Sequence, residues 1–402
     1  MSEIYSHPAG GGSGIDPDGA AGRPPLVVGI DAGGTRSRAC LAVGVPGGRV
    51  LGRGSGGPGN AMSVGRADLT RHLAAAVGEA VAHALPADPE VRGRIGAAYG
   101  GFAGAAPGIG PERGEELAVS CLRDALAAHG ITGVPVAVGG DTEVALAAAP
   151  GAPSDGLVLI AGTGAIAARL AGGRRAAVSD GHGWLLGDEG SGFWLGNRAT
   201  RAALEALDGR GPWTTLVPRV VAHYLGGAAG GAGGPDVGGS AAGGSAAVGS
   251  AVGGGDPGSD DVLRRALEVG PASDAVARHL LGEVVVTRAY EQAPARLGAL
   301  SPTVVEEAEA GDAVARGLLD AAAGLLAATV RSLEPRPGEP LVATGGLLGP
   351  GGPLLGRVTE RLADRGLRVF PVADGSTGAA ALACGLLGGG GPGGRGAPDA
   401  AV

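Results

Sequence analysis

The 402-residue chain contains no lysine; all 31 of its basic residues are arginine. That absence excludes several chemistries. A Walker A loop needs its Lys on the β- and γ-phosphates, a protein kinase needs its strand Lys, and Schiff-base or pyridoxal enzymes need a Lys amine. Cysteine is scarce too. Cys40, Cys121 and Cys384 lie far apart, each within an apolar run, with neither a CxxC pair nor Cys/His ligand spacing. They read as reduced core residues, against zinc, iron–sulfur or a disulfide framework. The first 25 residues lack an apolar h-region, and no stretch of 18 or more residues is free of charge and turn residues, which points to a soluble, cytoplasmic protein with no membrane partner. The net charge is −8 and the Arg residues are scattered rather than grouped in a stripe, so no nucleic-acid partner is expected.

What the chain has in excess is glycine, and it is unevenly placed. Gly 84 and Pro 28 together approach the level of low-complexity sequence, but 15 of the glycines fall within residues 226–259. That stretch has too few bulky side chains to offset the entropy of ordering, and reads as a disordered insertion between helices. The tails, 1–25 and 388–402, read likewise. With 44% hydrophobic residues, the remainder can bury the core of two domains or one large one.

The ordered chain is expected to begin at Leu26. LVVGI reads as a strand, Asp31-Ala-Gly-Gly-Thr35 as a Gly-rich turn, RACLAVGV as a second strand and Gly44 to Gly48 as its turn. Leu69, Leu73, Val77, Val81 and Leu85 recur every four residues, the stripe of an amphipathic helix. A strand near Arg94 to Tyr99, a helix from about Pro111 to His129, the strand PVAVGG and a helix opening at Asp141 follow. At Leu157 the opening pattern returns as LVLI, Ala161-Gly-Thr-Gly164 and AIAARL, which suggests an internal duplication. After Gly190 the reading is mainly helical, over Ala199 to Leu207, Trp213 to Leu225, Val262 to Val269 and Ala313 to Leu333. The strand LVATGG, a helix from Leu354 to Asp364, the strand LRVFPV and a helix from Ser376 to Leu387 complete the chain.

Five segments carry the chemistry: Asp31 to Ser37, Gly140-Asp-Thr-Glu143, Gly162-Thr-Gly164, Gly181 to Ser191, and Ala343-Thr-Gly-Gly346. Two Gly turns facing one another can clamp a polyphosphate with backbone N–H groups and Thr hydroxyls, without Lys. An Asp at the end of the first strand could hold Mg²⁺ through water. Any one of these turns alone would be a plain hairpin, and Asp141 alone a helix cap.

Taken in order, the set resembles the sugar kinase/actin/heat-shock ATPase superfamily, and within it the N-acetylglucosamine kinase group that shares its fold with BadF/BadG-type ATPases. The resemblance runs from about Leu26 to Leu387, and GWLLGDEGSGFWLG, Gly183 to Gly196, is its most specific segment. It implies an α/β fold of duplicated actin-like (ribonuclease H-like) lobes, 26–150 and 151–387, with the active site in the cleft between them. By the same resemblance Asp141 is the catalytic base for the sugar 6-hydroxyl. Asn60, Gly181, His182, Gly183 and Asp188 join Asp141 around the sugar. Gly33, Gly34, Thr35, Gly162, Thr163, Gly164, Gly345 and Gly346 contact ATP, and Asp31 stands on the Mg²⁺ side. Glu189 is a candidate cap for the helix that follows.

The implied activity is ATP-dependent phosphorylation of N-acetylglucosamine, with the amino sugar and ATP as partners and a homodimer allowed. The departure is Met62, where some family members carry an aromatic residue, so N-acetylmuramic acid and glucosamine stay open as substrates. A BadF-type activator of a dehydratase would share the ATP motifs but needs clustered cysteines, which this chain lacks. A repressor of the sugar-sensing group would need a DNA-binding module that 25 Gly/Pro-rich residues cannot form.

Overall fold

The computed structural model describes residues 23–105, 113–226 and 268–388. The expected insertion 226–259 and the two tails lie outside the described residues, apart from Gly226, Gly388 and residues 23–25. Of these, Pro24 and Pro25 accept hydrogen bonds from Arg94 and Gly44.

Two five-stranded sheets form the frame. The first comprises β1 (Leu26–Ala32), β2 (Ser37–Val43), β3 (Val50–Gly56), β4 (Ile95–Phe102) and β5 (Val136–Gly140), in the order β3-β2-β1-β4-β5. The second comprises β6 (Gly156–Ala161), β7 (Ala165–Ala171), β8 (Arg174–Asp180), β9 (Pro340–Thr344) and β10 (Arg368–Pro371), in the order β8-β7-β6-β9-β10. In each, three strands form an antiparallel meander and two more add in parallel beside the first. The two similar hairpins in the sequence are thus the visible part of a duplicated topology.

The helices cover the sheets in a reciprocal way. In the first half, α1 (Arg66–Ala84) and α2 (Glu115–Ala127) cover one face, burying Leu69, Leu73, Val77 and Val81 of the four-residue stripe together with Leu117, Cys121 and Leu122. The short α3 (Asp141–Ala147) leaves β5 of the first sheet and packs Ala145 and Leu146 against Val158, Ala168 and Val342 of the second. The final helix, α10 (Ser376–Cys384), leaves the second sheet and packs Ala380 and Ala383 against Val27, Cys40 and Ala97 of the first. The two crossing helices touch at Gly378, where a Cβ would stand 2.0 Å from the Val144 carbonyl oxygen. Each half therefore supplies a helix that closes the other half's sheet.

The remaining helices are α4 (Gly192–Leu207), α5 (Leu216–Gly226), α6 (Ala275–Tyr290), α7 (Ser301–Ala310), α8 (Ala313–Arg331) and α9 (Leu355–Arg361). Among the described residues α8 is the one helix long and apolar enough to cross a membrane. Here it buries Leu319, Ala322, Ala323, Leu326 and Val330 in the second core, and its Asp320 pairs with Arg357 of α9. All three cysteines are free, two of them buried and Cys384 half-buried.

Four elements were not foreseen in the sequence: β3, β8, α6 and α7. Both strands are sheet edges without a strand's usual composition. In β3 the glycines at 52, 54 and 56 each let α1 approach so closely that a Cβ would stand about 2 Å from the carbonyl oxygens of Ala80, Ala76 and His72. The strand is selected for close packing rather than for propensity. β8 (RRAAVSD) is mostly exposed and shows no apolar alternation. The expected helix from Val262 to Val269 lies outside the described residues, except for its last two.

Candidate active site

Asp31 is the penultimate residue of β1, opposite Arg38 in the hairpin register. Its Oδ2 accepts a 2.8 Å hydrogen bond from the Gly375 amide at the start of α10. Burial pushes its carboxyl up to about 6; the Gly375 amide opposes this, the Asp141 and Asp374 charges add to it, and Arg38 opposes them. The following turn closes when the Gly33 amide donates to Arg36 O at 3.0 Å. Gly34 and Thr35 are exposed at its tip, with nothing within 4 Å of where a Gly34 Cβ would stand. The Gly59 amide donates to Gly33 O at 2.8 Å, bringing the Asn60 loop against this turn. Asn60 is half-buried; its Oδ1 accepts the Met62 amide at 2.8 Å, and no other described residue takes its side-chain N–H groups.

Asp141 begins α3 at the C-terminal end of β5. Its Oδ1 accepts the Thr142 amide at 2.8 Å, while the Gly140 amide donates to Glu143 Oε2 at 2.7 Å. Among the described residues, Oδ2 of Asp141 has no partner. Burial raises this carboxyl, and the Thr142 amide and the Arg175 guanidinium pull it back. Arg175, on β8 of the second sheet, reaches this junction: a Cβ on Gly140 would lie 3.8 Å from its Nε. Two hydroxyls nearby in the sequence, Ser37 Oγ and Thr142 Oγ1, are buried without any hydrogen-bond partner.

The second turn is tied down more firmly. Gly162 N donates to Gly164 O, and the first two amides of α4, Gly192 and Phe193, donate to the carbonyls of Gly162 and Thr163 at 2.8 and 3.0 Å. Asp188 Oδ1 accepts the Ala165 amide at 3.0 Å, and a Cβ on Gly164 would press against the Asp188 carboxylate at about 3 Å. Burial raises the Asp188 carboxyl, Ala165 opposes this, and Asp180 raises it further. The turn after β9 closes on the same place. Gly345 has φ 93° and would bring a Cβ within 2.3 Å of Ala161 O, a conformation and an approach that only glycine permits, while Gly346 is exposed with open space beside it. In the loop between, Gly181 and His182 are exposed and Gly183 is half-buried. The cap of α4 is Ser191, whose Oγ accepts Trp194 N at 3.2 Å, rather than Glu189 as expected. Glu189 instead gives its backbone amide to Asp180.

The fold thus gathers the expected residues into two groups: Asp31, the Gly33 turn and the Asn60 loop on one side, and the Gly162 turn, Asp188 and Gly345 on the other. Asp141 stands at the junction, coupled electrostatically to Asp31 and facing Arg175. Asp180, Arg175 and the orphaned hydroxyls were missed in the sequence because β8 carries no strand signal and burial is invisible there. A cavity of about 640 Å³ between the β2–β3 turn, the end of α3 and α10 contains none of these residues. Its Ala, Val, Gly and Pro lining offers a sugar or phosphate little to bind.

Two sheets of identical topology, closed by reciprocally crossing helices with Gly turns at the strand ends, define the duplicated actin-like ATPase fold. Residues 28–383 match the BadF/BadG/BcrA/BcrD ATPase family, and the chain belongs to it. A solved structure of a candidate N-acetylglucosamine kinase from Chromobacterium violaceum superposes with a TM-score of 0.56 at 23% identity, covering 91% of this chain and 99% of that one. Its counterpart from Porphyromonas gingivalis gives 0.53 at 19% identity, over 90% and 98%. The N-acetylmuramic acid/N-acetylglucosamine kinase of Clostridium acetobutylicum is 36% identical over 107 residues. That match spans 27% of this chain and 34% of the relative, about a third of its length.

Proposed function

We propose that this chain is a cytoplasmic, ATP-dependent kinase that phosphorylates the 6-hydroxyl of N-acetylglucosamine, with Asp141 as general base. The observation that carries the reading is the Asp141 carboxylate. It is half-buried at the β5–α3 junction, coupled to the Asp31 charge, anchored through Oδ1 and unpartnered at Oδ2 among the described residues. Burial makes it a stronger base than a solvated Asp, and Arg175 and the Thr142 amide favour its charged form.

The sugar 6-oxygen attacks the γ-phosphorus, its proton passes to Asp141 Oδ2, and the bond to the β-phosphate oxygen breaks to release ADP. Such a transfer needs positioning and charge neutralisation more than covalent chemistry. The open backbone at Gly34, Gly162 and Gly346 gives phosphates and nucleoside room to approach, and Thr35 and Thr163 add hydroxyl donors. Asn60 and Asp188 hold the sugar, Asn60 by its free amide donors and Asp188 by Oδ2, with Gly181, His182 and Gly183 close to the ring.

The residues also fit Mg²⁺. Asp31 is an oxygen donor whose unfavourable buried charge a cation would relieve. Among the described residues no three His, Cys, Asp or Glu side chains form a metal cage, so Asp31 would hold the ion together with waters and phosphate oxygens. The ion would supply neutralisation of phosphate charge.

N-acetylmuramic acid is the second substrate to consider, because the half-buried Met62 is a flexible wall that a larger substituent can displace. The test is ADP release by purified protein over a panel of N-acetylglucosamine, N-acetylmuramic acid, glucosamine and glucose. N-acetylglucosamine should lead, and sugars lacking one polar contact should lose about tenfold to a hundredfold in kcat/KM. Equal or faster turnover of glucose would remove the acetamido pocket from the proposal.

A further inference from the structure

Asp180 ends β8 with φ 63°, a left-handed conformation rare for a residue with a side chain. Its carboxylate accounts for it. Oδ1 accepts the amides of Gly181 and Asp188, and Oδ2 accepts the amide of Glu189, each at 2.8 Å. A single carboxylate therefore ties both ends of the 181–189 loop together. Gly187 leaves room for it, since a Cβ there would stand 2.2 Å from Asp180 Oδ1.

The same bonds lead on to the phosphate turn. Asp188, held at its amide by Asp180, uses its own Oδ1 to accept the Ala165 amide, directly after Gly162-Thr163-Gly164. A continuous path of hydrogen bonds runs from the edge strand through the signature loop to that turn. The loop needs such a tie because its outer part has little else. Leu185 and Leu186 are 72% and 78% exposed, and the exposed Trp184 meets α4 at Phe193, with ring centroids 5.6 Å apart. The two acids sit close enough to repel, so the arrangement is held by the three amides and not by mutual attraction of the side chains.

We propose that Asp180 is a positioning residue for sugar selection: its carboxylate staples the loop so that Asp188 presents Oδ2 to a sugar hydroxyl. The sugar part rests on the kinase reading above; the staple does not. Asp180→Gly relieves the left-handed backbone and removes only the carboxylate. Gly187→Ala keeps the carboxylate but fills its place, at a position with no positive φ.

In hydrogen exchange without ligand, both variants should speed exchange at the Asp188 and Glu189 amides by about tenfold or more, with β6 and β9 amides unchanged. In steady-state kinetics both should raise the sugar KM about tenfold while leaving the ATP KM within about twofold. Asp180→Asn should fall between, because its Oδ1 can still accept two amides while its NH₂ group opposes the Glu189 N–H. Unchanged exchange in Asp180→Gly, or sugar and ATP KM rising in parallel, overturns the proposal. If the parent phosphorylates no sugar, the kinase reading fails, and exchange alone decides the staple.

Discussion

The two hairpin turns at the heart of this molecule share a topology and little else. In the first, the penultimate strand residue is Asp31, the turn spans four residues, and its tip is exposed. In the second, the corresponding strand position is Ile160, the turn spans three residues, two α4 amides bond its carbonyls, and the Leu347 amide and Asp188 hold the flanking strand residues Ala161 and Ala165. Duplication supplied the frame, and divergence supplied the division of labour. Both turns leave open backbone where the proposed reading puts phosphate, but the first is preceded by an acid and has an exposed tip, whereas the second is bonded to α4 and adjoins the strand residue that Asp188 holds. The crossing helices repeat the contrast. α3 opens with Asp141, whose Oδ2 is unpartnered, while the amide just before α10 is spent on Asp31.

The largest effect that tests this division is expected at Asp141. Asp141→Asn keeps an oxygen that can accept the Thr142 amide, so the fold and nucleotide binding should survive. Turnover should fall by roughly a hundredfold or more, the scale of a positioned general base. A variant with near-parental turnover and unchanged ATP affinity would remove Asp141 from the mechanism and leave the junction without a chemical role.

Asp31 gives the next effect, and it concerns stability. Its carboxyl stands at about 6 in the fold against an ordinary 3.8. Folding disfavours the ionised form, so nucleotide-free protein should lose stability as pH rises from about 4 to 6, with the full cost present above 6. Asp31→Asn removes that cost. The variant should unfold at higher denaturant than the parent above pH 6, by at most about 3 kcal/mol and less because the group is partly exposed, and the two should converge near pH 4. On the proposal that Asp31 holds Mg²⁺, its activity should fall even as its stability rises, since a neutral amide is a weaker ligand for the ion than a carboxylate. In the parent, activity should fall as pH drops below about 6, where Asp31 takes up its proton, and the raised Asp141 carboxyl changes activity in the same direction. Identical pH-stability profiles for parent and variant would show that Asp31 carries no buried charge.

Much of this division was legible in the sequence, but only where it is written in local chemistry. The two Gly turns, Asp141 at a helix start and the four-residue stripe of α1 follow from spacing and residue type. β3 and β8 were not legible. Gly52, Gly54 and Gly56 answer to a helix that comes later in the chain, and the exposed RRAAVSD has no alternation to read. Asp180 was invisible for the same reason: its three amide partners are set by a left-handed backbone that nothing in Ser-Asp-Gly announces. The cap of α4 went to Ser191 because its side chain, and not that of Glu189, lies at the residue flanking the helix.

The smallest expected effect separates the two turns most directly. Gly34→Val and Gly162→Val place a Cβ where nothing beyond the chain neighbours lies within 4 Å, and neither glycine has a positive φ, so both variants should fold with nearly parental stability. Each new side chain would project into the space that the proposal gives to phosphate, and each should weaken ATP binding by about tenfold, close to 1.4 kcal/mol. The difference should lie in the sugar. The Gly34 tip itself bonds to nothing in the Asn60 loop, which is tied to Gly33 and Ser37 on either side of it, so sugar affinity measured without nucleotide should not change in Gly34→Val. The Gly162 turn is bonded to α4 and adjoins Ala165, which Asp188 holds, so Gly162→Val should disturb Asp188 and weaken sugar binding about twofold to threefold as well. Isothermal titration of each ligand alone against each variant measures all four affinities. Equal sugar affinity in the two variants would mean that the second turn is no more tied to the sugar loop than the first, and that the rigidity of its hydrogen bonds has no bearing on the substrate.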